Sequence, residues 1–475
     1  MKENLLVCPV CRGALGAFEE KLHCASCKST YPFLRGTVPV LIADAYAFMT
    51  HAYLQYGKFL AERKVEAQKL TAVVNSGYDR TTGLAERLHR AYQTNDNIIQ
   101  KIADTLETHL STSHIRDAYL NEKAAPLAYM VNNIYLIRDW GQIPGGDSEI
   151  AHITEHIAGA LEQSAPDTPS DSDAILFLGA GMGRVACEVA GLVPGRMFAL
   201  DNSVTMAYMA DEVRRNDIPF FEINLKNVET PADMVVEHVA SVRACRAGSD
   251  AASRVQYLVG DASKLPFPDN SLTAVASVFF TDVLPLPILI KEVKRVLKPG
   301  GIFIHYGPLE YHHEDVRFMF SLEETMQMFA RQHFDVSDYQ TFWMPHCQVL
   351  QTGMFKTYRS WLFRAAKRSL FHHINGSTRL SIARDMEFYQ NGAIGNGVYR
   401  FDTSLVLGVN DIYEGADTVL DMLKIIQTGK SFEEMIGELS VEYGEIGAAE
   451  QEQIKRILAG LADKGVLLID NPQQV

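Results

Sequence analysis

Long apolar runs are missing from this 475-residue chain, and none reaches the ~18 residues a membrane span needs. The start, Met1-Lys-Glu-Asn-Leu-Leu-Val-Cys8, carries no signal-peptide pattern. Cysteine is scarce. Seven residues, an odd number with four in CxxC pairs, suit a reducing compartment and a metal better than a disulfide framework. Positive charge is in deficit. The 44 Lys+Arg stand against 58 Asp+Glu for a net charge of −14, which argues against broad nucleic-acid binding but leaves a local basic face open. The expectation from these absences is a soluble cytoplasmic protein. With 47% apolar and 21% charged residues it can bury a core, and its length predicts two to four domains.

What is present starts with metal chemistry. Cys8-Pro-Val-Cys11 and Cys24-Ala-Ser-Cys27 form two knuckles twelve residues apart. Cys8, Cys11, Cys24 and Cys27 offer four thiolates for a tetrahedral zinc at about 2.3 Å each, closing a unit too short to hold a core unaided. Four ligands leave no open position, so the zinc is expected to be structural. The pattern CPxCxG…CxxCxxxYP resembles the zinc ribbons attached to, or partnering, many methyltransferases of RNA and translation factors. This ribbon is assigned residues 1–44.

Residues 45–145 read as a helical cap region, with almost no proline. Asn97-Ile-Ile-Gln-Lys-Ile-Ala-Asp-Thr-Leu106 places its apolar residues on one helix face. One further helix is expected at about Asp147–Gln163. From Asp173 an α/β alternation begins. Ala174-Ile-Leu-Phe-Leu178 is all apolar, as a strand buried on both faces requires. Ala199-Leu200, Val255–Val259, Leu272–Phe280 and Gly301–Tyr306 are further candidate strands of a doubly wound, mainly parallel sheet. The main domain is set at residues 146–365.

Acidic residues vanish between 339 and 384, where Lys356, Arg359, Arg364, Lys367, Arg368, Arg379 and Arg384 stand. This stretch reads either as a solvated helix face or as a local patch for an acidic ligand. Beyond it, residues 375–475 read as a small α+β unit. Val398-Tyr-Arg-Phe and Ser404-Leu-Val-Leu are strand-like, and Ser431-Phe-Glu-Glu434 is a capping box. Glu450–Lys464 is a helix stopped by Gly465, and Val466-Leu-Leu-Ile469 a closing strand, the order of a winged helix.

The chemistry-bearing phrase is Gly179-Ala-Gly181-Met-Gly183-Arg184, directly after the first apolar strand. Glycines there permit a tight turn and close backbone approach, and the next helix offers its N-terminal N–H groups. Alone this suits dinucleotide enzymes equally. Three additions favour S-adenosylmethionine over NAD: Asp201, about twenty residues on, for ribose hydroxyls; Asp261-Ala262 after another strand, for the adenine; and the helix-to-strand phrase Leu297-Lys-Pro-Gly-Gly-Ile302. Asp261 alone could instead be a turn residue.

Several phrases together resemble the carnosine N-methyltransferase family. They are Arg138-Asp-Trp140, the glycine loop, Val278-Phe-Phe-Thr-Asp282, Leu297-Lys-Pro-Gly-Gly-Ile302 and, most tellingly, Gly307-Pro-Leu-Glu-Tyr-His-His-Glu314, close to that family's GPLLYHFE. The likeness runs from about residue 90 to 365 and covers neither ribbon nor tail. It implies a Rossmann-like class I methyltransferase fold and N-methylation of an imidazole. In that family the carboxylate of FFxD holds the imidazole, and the His after GPLxY and tyrosines near the domain's end complete the pocket. Carried over, these are Asp282, His312 and Tyr358. Thr357 and Arg359 depart from the family's run of tyrosines, so the acceptor need not be carnosine. Asp201 stands where the family has Glu. Asp282 could otherwise cap a helix, and His312 could be structural. His305, His313 and His346 lack ligand spacing for a second metal.

The tail faintly resembles the winged-helix units that bind leader peptides, which implies a histidine within a peptide as acceptor and strand addition at a sheet edge. Two other functions stay open: an RNA-base or translation-factor methyltransferase docking through its ribbon, and a non-catalytic scaffold. Acidity and the lack of an Asn-Pro-Pro-Tyr phrase count against the first, the intact glycine loop against the second. The oligomeric state is not legible.

Overall fold

The computed structural model divides into two compact units, Met1–Lys367 and Arg368–Val475. It describes residues 5–115 except 19 and 78, 134–141, 147–163, 172–348 and 355–368. In the second unit it describes 374–382, 387–395, 398–408, 411–415, 417–427, 429–463 and 466–470. No helix among the described residues is long and apolar enough to cross a membrane.

In chain order the first unit contains β1 (Leu15–Phe18), β2 (Lys21–Cys24), β3 (Thr30–Leu34), β4 (Val38–Leu41), β5 (Ala174–Leu178) and β6 (Arg196–Asp201). There follow β7 (Ile218–Ile223), β8 (Val235–Ala240), β9 (Val255–Gly260), β10 (Leu272–Val278) and β11 (Leu297–Gly307), then β12 (Phe334–Val336), β13 (Gln340–His346) and β14 (Lys356–Lys367). All but β7 and β8 join one sheet in the order β1-β2-β3-β4-β9-β6-β5-β10-β11-β14-β12, with β13 beside β14. Neighbours from β4 to β11 pair parallel. β14 is antiparallel to both β11 and β12.

The expected strands fall where the apolar runs lie. β5 is buried along its whole length, as a central strand covered by helices must be. The phrase Leu297-Lys-Pro-Gly-Gly-Ile302 lies inside β11, with a register shift opposite Leu272 and Ala274. Helices Ala45–Asn75, Asp79–Glu107, Ile134–Trp140 and Asp147–Glu162 fill the cap region. Ile99, Ile102, Ala103 and Leu106 form the buried face of the second. The β7–β8 hairpin went unread in the sequence. It packs under that same helix, Leu88 and Ala91 against Phe221 and Val235, and Asn95 clamps the Phe221 peptide from both sides at 2.8 Å.

Two expectations need restating. The ribbon does not stop at its own hairpins: β4 lies beside β9, and Cys8, Leu34 and Val40 share one core with the main sheet. The basic stretch is not a helix face. Lys356–Lys367 is a strand, and its charges are used separately. Lys367, 3% exposed, donates to the carbonyls of Lys294 and Leu297 and to Asn270. Arg364 reaches Gln163. Residues 369–373 and 383–386, Arg384 included, lie outside the described residues.

The second unit pairs Arg379–Ile382 with Leu467–Asp470 and forms a three-stranded antiparallel sheet from Glu387–Gly395, Val398–Gly408 and Asp411–Gly415. Val398-Tyr-Arg-Phe and Ser404-Leu-Val-Leu therefore belong to one strand. Helices Asp417–Ile426, Phe432–Tyr443 and Ala448–Asp463 follow. Ser431 caps the middle one as expected, with Glu434 closing the box at 2.7 Å. Leu380, Leu423, Met435, Leu439, Leu458 and Val466 are buried in its core.

Candidate active site

The strand order reverses between β5 and β10, and ligands of open α/β sheets bind there, outside the carboxyl ends of the strands. A cavity of about 210 Å³ lies at this point. Its floor is the glycine loop. Gly179, Gly181 and Gly183 take φ of 56°, 55° and 75°, which glycine alone enters without strain. They differ in purpose. A Cβ at Gly179 would strike the Phe280 ring, and one at Gly183 would strike the Tyr257 hydroxyl, itself bonded to the Met182 carbonyl. A Cβ at Gly181 would meet nothing within 4 Å. That open space lines the cavity, so the missing side chain leaves room for a ligand.

Asp201, at the end of β6, accepts the Gly181 N–H at 2.8 Å and the Ser203 N–H at 2.9 Å. Each oxygen keeps a lone pair for a ribose hydroxyl. Burial pushes its carboxyl up to about 6. Asp261 and Ala262 follow β9 and line the cavity, with Asp261 accepting the Ser263 N–H at 2.8 Å. Carboxylates at these two strand ends and an open glycine between them fit a nucleoside with an extended tail.

Arg184 lies elsewhere. It is 1% exposed and directed inward, holding Glu188 at 2.7 Å and the carbonyls of Asp139 and Ala244. Gly183 likewise serves helix packing against Tyr257 rather than the cavity lining. The cation at the cavity wall is Arg138, paired with Asp139 at 2.7 Å.

The other end of the cavity holds Asp282, His312 and Tyr358. Asp282 follows β10, is 3% exposed, and accepts the Glu310 N–H at 2.6 Å. Burial raises its pKa. Behind it, His305 bridges Thr281 and the Gly307 carbonyl and is held neutral, its pKa lowered to about 4 by burial. His305 is thus structural. His312 is exposed at the rim. The Tyr358 hydroxyl donates to Glu310 and receives Lys356 Nζ at 3.2 Å. His313 packs instead on Tyr311 and Phe318.

One group at this end was not foreseen. His346 also lines the cavity, its ring stacked on Phe279 at 4.7 Å and 5.4 Å from Tyr358. Phe279 sits at φ 55°, an uncommon conformation for an aromatic residue. His346 Nδ1 lies 2.8 Å from Glu149, whose other oxygen accepts the Cys347 N–H. Glu149, His346 and Cys347 cluster closely enough to suggest a metal, but their polar atoms already bond one another, and Arg138 stands 3.8 Å from Glu149. A second cation beside that guanidinium would be repelled. Glu149 and His346 are 197 residues apart, so no spacing in the sequence could reveal them.

The four ribbon cysteines are brought together. Cys8 and Cys27 lie 3.5 Å apart, Cys11 and Cys24 3.4 Å, and all four sulfurs within 4.8 Å of one another. A tetrahedral zinc with ~2.3 Å bonds needs sulfurs about 3.8 Å apart, so the set fits.

Numbered along the chain as 1 to 7, strands β5, β6, β9, β10, β11, β12 and β14 stand in the order 3-2-1-4-5-7-6 with the seventh antiparallel. With the cavity at its switch point, this is the fold of the class I S-adenosylmethionine-dependent methyltransferases. The sequence profile of the carnosine N-methyltransferase family matches residues 128–368, just over half the chain, and the chain belongs to that family. The mouse carnosine N-methyltransferase is 27% identical over 196 residues, 39% of this chain and 48% of the relative. That of Dictyostelium discoideum is 24% identical over 271 residues, 53% and 55%. The chain thus spans about half the length of these relatives. Among solved structures, YcgJ of Bacillus subtilis overlaps 46% of this chain and 99% of its own at 17% identity and a TM-score of 0.31.

Proposed function

We propose that the chain is a methyltransferase that uses S-adenosylmethionine to methylate an imidazole nitrogen, of histidine type, on a small molecule or peptide. The observation that carries this reading is the buried Asp282 carboxylate, fixed by the Glu310 N–H at one end of a cavity whose other end is the glycine loop. The donor supplies an electrophilic methyl on a sulfonium. Gly181 gives it room, Asp201 accepts its ribose hydroxyls, and Asp261 with Ala262 borders its adenine.

Neutral imidazole has one N–H and one lone-pair nitrogen. Asp282 accepts the N–H, which fixes the tautomer and frees the other nitrogen to attack in line. No base is needed before attack. As the nitrogen–carbon bond forms and the carbon–sulfur bond breaks, positive charge grows on the ring, and the carboxylate opposes it at short range. Asp282, with its raised pKa, then takes the ring proton, and His312 at the rim passes it to water. The stacked rings of Phe279 and His346 give a flat wall for a planar acceptor. Tyr358 is held at the mouth by Glu310 and Lys356.

Zinc on Cys8, Cys11, Cys24 and Cys27 is structural in this reading, and thiolates kept for a metal suit a reducing compartment such as the cytoplasm. The outer strands of the second unit's sheet, Glu387–Gly395 and Asp411–Gly415, pair on one side only among the described residues. A leader segment of a peptide acceptor would add there as a further strand.

Incubation with methyl-labelled donor and, separately, carnosine, histidine-containing peptides with and without a leader, and RNA tests the proposal. Label is expected on the imidazole of a histidine compound. Label only on RNA would replace this reading with the base-methylating one, and no label with S-adenosylhomocysteine still bound would favour a scaffold.

A further inference from the structure

The ribbon touches the rest of the first unit at the backs of the loops that face the cofactor. Its metal-binding knuckle Cys8–Cys11 is flanked on either side by a contact. Just before it, the Val7 N–H donates to the Pro266 carbonyl at 3.0 Å. Just after it, Arg12, at φ 60°, places its guanidinium 3.7 Å from Glu292. Glu292 is also held by Arg295, which donates to its two oxygens at 3.0 and 2.7 Å, and its second oxygen accepts the Leu265 N–H at 2.8 Å. Leu265 and Pro266 lie midway along the loop between β9 and β10, which begins with Asp261 and Ala262 at the cavity.

The ribbon's other end makes matching contacts. β4 sets Leu41 beside Gly260, the residue before Asp261. Arg35 pairs with Asp211 at 3.2 Å, and Thr37 donates to the same carboxylate at 3.0 Å. Asp211 lies on the helix Val204–Arg215, whose cap Ser203 and first-turn Met206 line the cavity. The loop after β9 and the helix after β6 are therefore both braced from a unit that does not itself line the cavity.

We propose that the ribbon is a positioning element for the cofactor, with Arg12 and Glu292 as its positioning residues. This rests on the reading that the cavity takes S-adenosylmethionine. β4 is held by the shared sheet and core, but the cysteine knuckles hold their shape through their metal. With zinc on the four cysteines, Val7 and Arg12 are fixed in space, Arg12 adds to the hold of Arg295 on Glu292, and the Leu265–Pro266 part of the loop is held. Without zinc the knuckle opens, the loop samples other conformations, and cofactor affinity falls by the fraction of time the binding arrangement is lost.

The test is calorimetry of the full chain with S-adenosylhomocysteine, zinc-loaded, stripped by a chelator, and reloaded. Affinity is expected to fall about tenfold or more on stripping and to return with zinc. Arg12→Ala keeps all four cysteines and guards against simple unfolding. It is expected to bind one zinc per chain, melt close to the parent, and yet lose about three- to fivefold in affinity, with KM for the donor raised and kcat unchanged. Arg12→Lys should restore most of the loss. Glu292→Gln loses the ion pair with Arg12 and also the one with Arg295, so it should lose at least as much affinity as Arg12→Ala. Equal affinity in the stripped chain and in Arg12→Ala overturns the inference. A zinc-loaded parent that binds no S-adenosylhomocysteine overturns the reading of the cavity itself.

Discussion

The two ends of the cavity are built in opposite ways. At the nucleoside end each group stands at the tip of one strand and is held by its own neighbours or by the loop of the adjacent strand: Gly179–Gly183 after β5, Asp201 by Ser203 and by Gly181 on the β5 loop, Asp261 by Ser263. At the acceptor end almost every group is held by a residue far along the chain. Asp282 leans on Glu310, His346 on Glu149, and Tyr358 on Glu310. One end is a property of the fold and the other a property of this chain. Changes at the first should alter binding of the donor whatever the acceptor, and changes at the second should alter transfer and leave the donor bound.

The sharpest break would come from Asp282→Asn. The amide keeps a carbonyl oxygen for the Glu310 N–H but carries no charge, so transfer should fall about a thousandfold or more in kcat. S-adenosylhomocysteine affinity should stay within about twofold of the parent, since no transition-state charge is at stake in binding. Isotope incorporation beside calorimetry decides it. A parallel loss of affinity would mean the two ends are not separate.

Gly181→Ala is the converse. The methyl enters open cavity at φ 55°, which costs about 1–2 kcal/mol in backbone strain and displaces the ligand besides. A loss of about a hundredfold in S-adenosylhomocysteine affinity is expected, with the melting temperature lowered by only a few degrees, of the order of 4 °C. Gly183→Ala should do the reverse, since its methyl collides with Tyr257 inside the core. That variant is read by thermal melting.

The same contrast explains what the sequence disclosed. β5, the glycine loop, Asp201, Asp261 and the knuckle cysteines are local signals, each a few residues whose spacing carries the geometry. Asp282, His312 and Tyr358 were legible only through resemblance to a family, because nothing in their spacing brings three distant segments to one cavity. Arg184, adjacent to the loop, was read as part of the cofactor site and instead spends its donors on Glu188 and two carbonyls. A helix's first residue can point either way. Of the two readings of the basic stretch the helix face falls away, because charge alone does not reveal a strand whose Lys367 is buried against carbonyls. His346 is legible in the sequence only as a histidine lacking the spacing of a metal ligand, and its tie to Glu149 not at all, the two being joined only in the folded chain.

That last pair allows a finer test of the acceptor end. Glu149→Gln keeps the size of the side chain and weakens the bond to His346 Nδ1 and the ion pair with Arg138. If His346 forms the acceptor's wall, kcat/KM for the acceptor should fall about tenfold. His346→Gln should fall equally, and the double variant should be no worse than either, the mark of two residues acting as one unit. Additive losses would separate Glu149 from His346 and assign its effect to Arg138.

The smallest effect expected belongs to the nucleoside end and comes from its acid. Burial raises the free Asp201 carboxyl to about 6. Ribose hydroxyls donate to the ionised form, so binding favours loss of its proton and lowers that pKa. Affinity for S-adenosylhomocysteine should therefore be level above about pH 7 and decline as pH drops through 6. At about pH 5.5 roughly a quarter of the free chain has the carboxylate ready, which puts affinity about fourfold below its plateau. Asp201→Asn should lower the plateau and flatten the decline. Asp282→Asn should leave the decline in place, because that carboxylate, though also raised by burial, is assigned in the proposed function to the acceptor and not to the ribose. A decline that vanishes with Asp282→Asn and survives Asp201→Asn would reverse the assignment of the two ends.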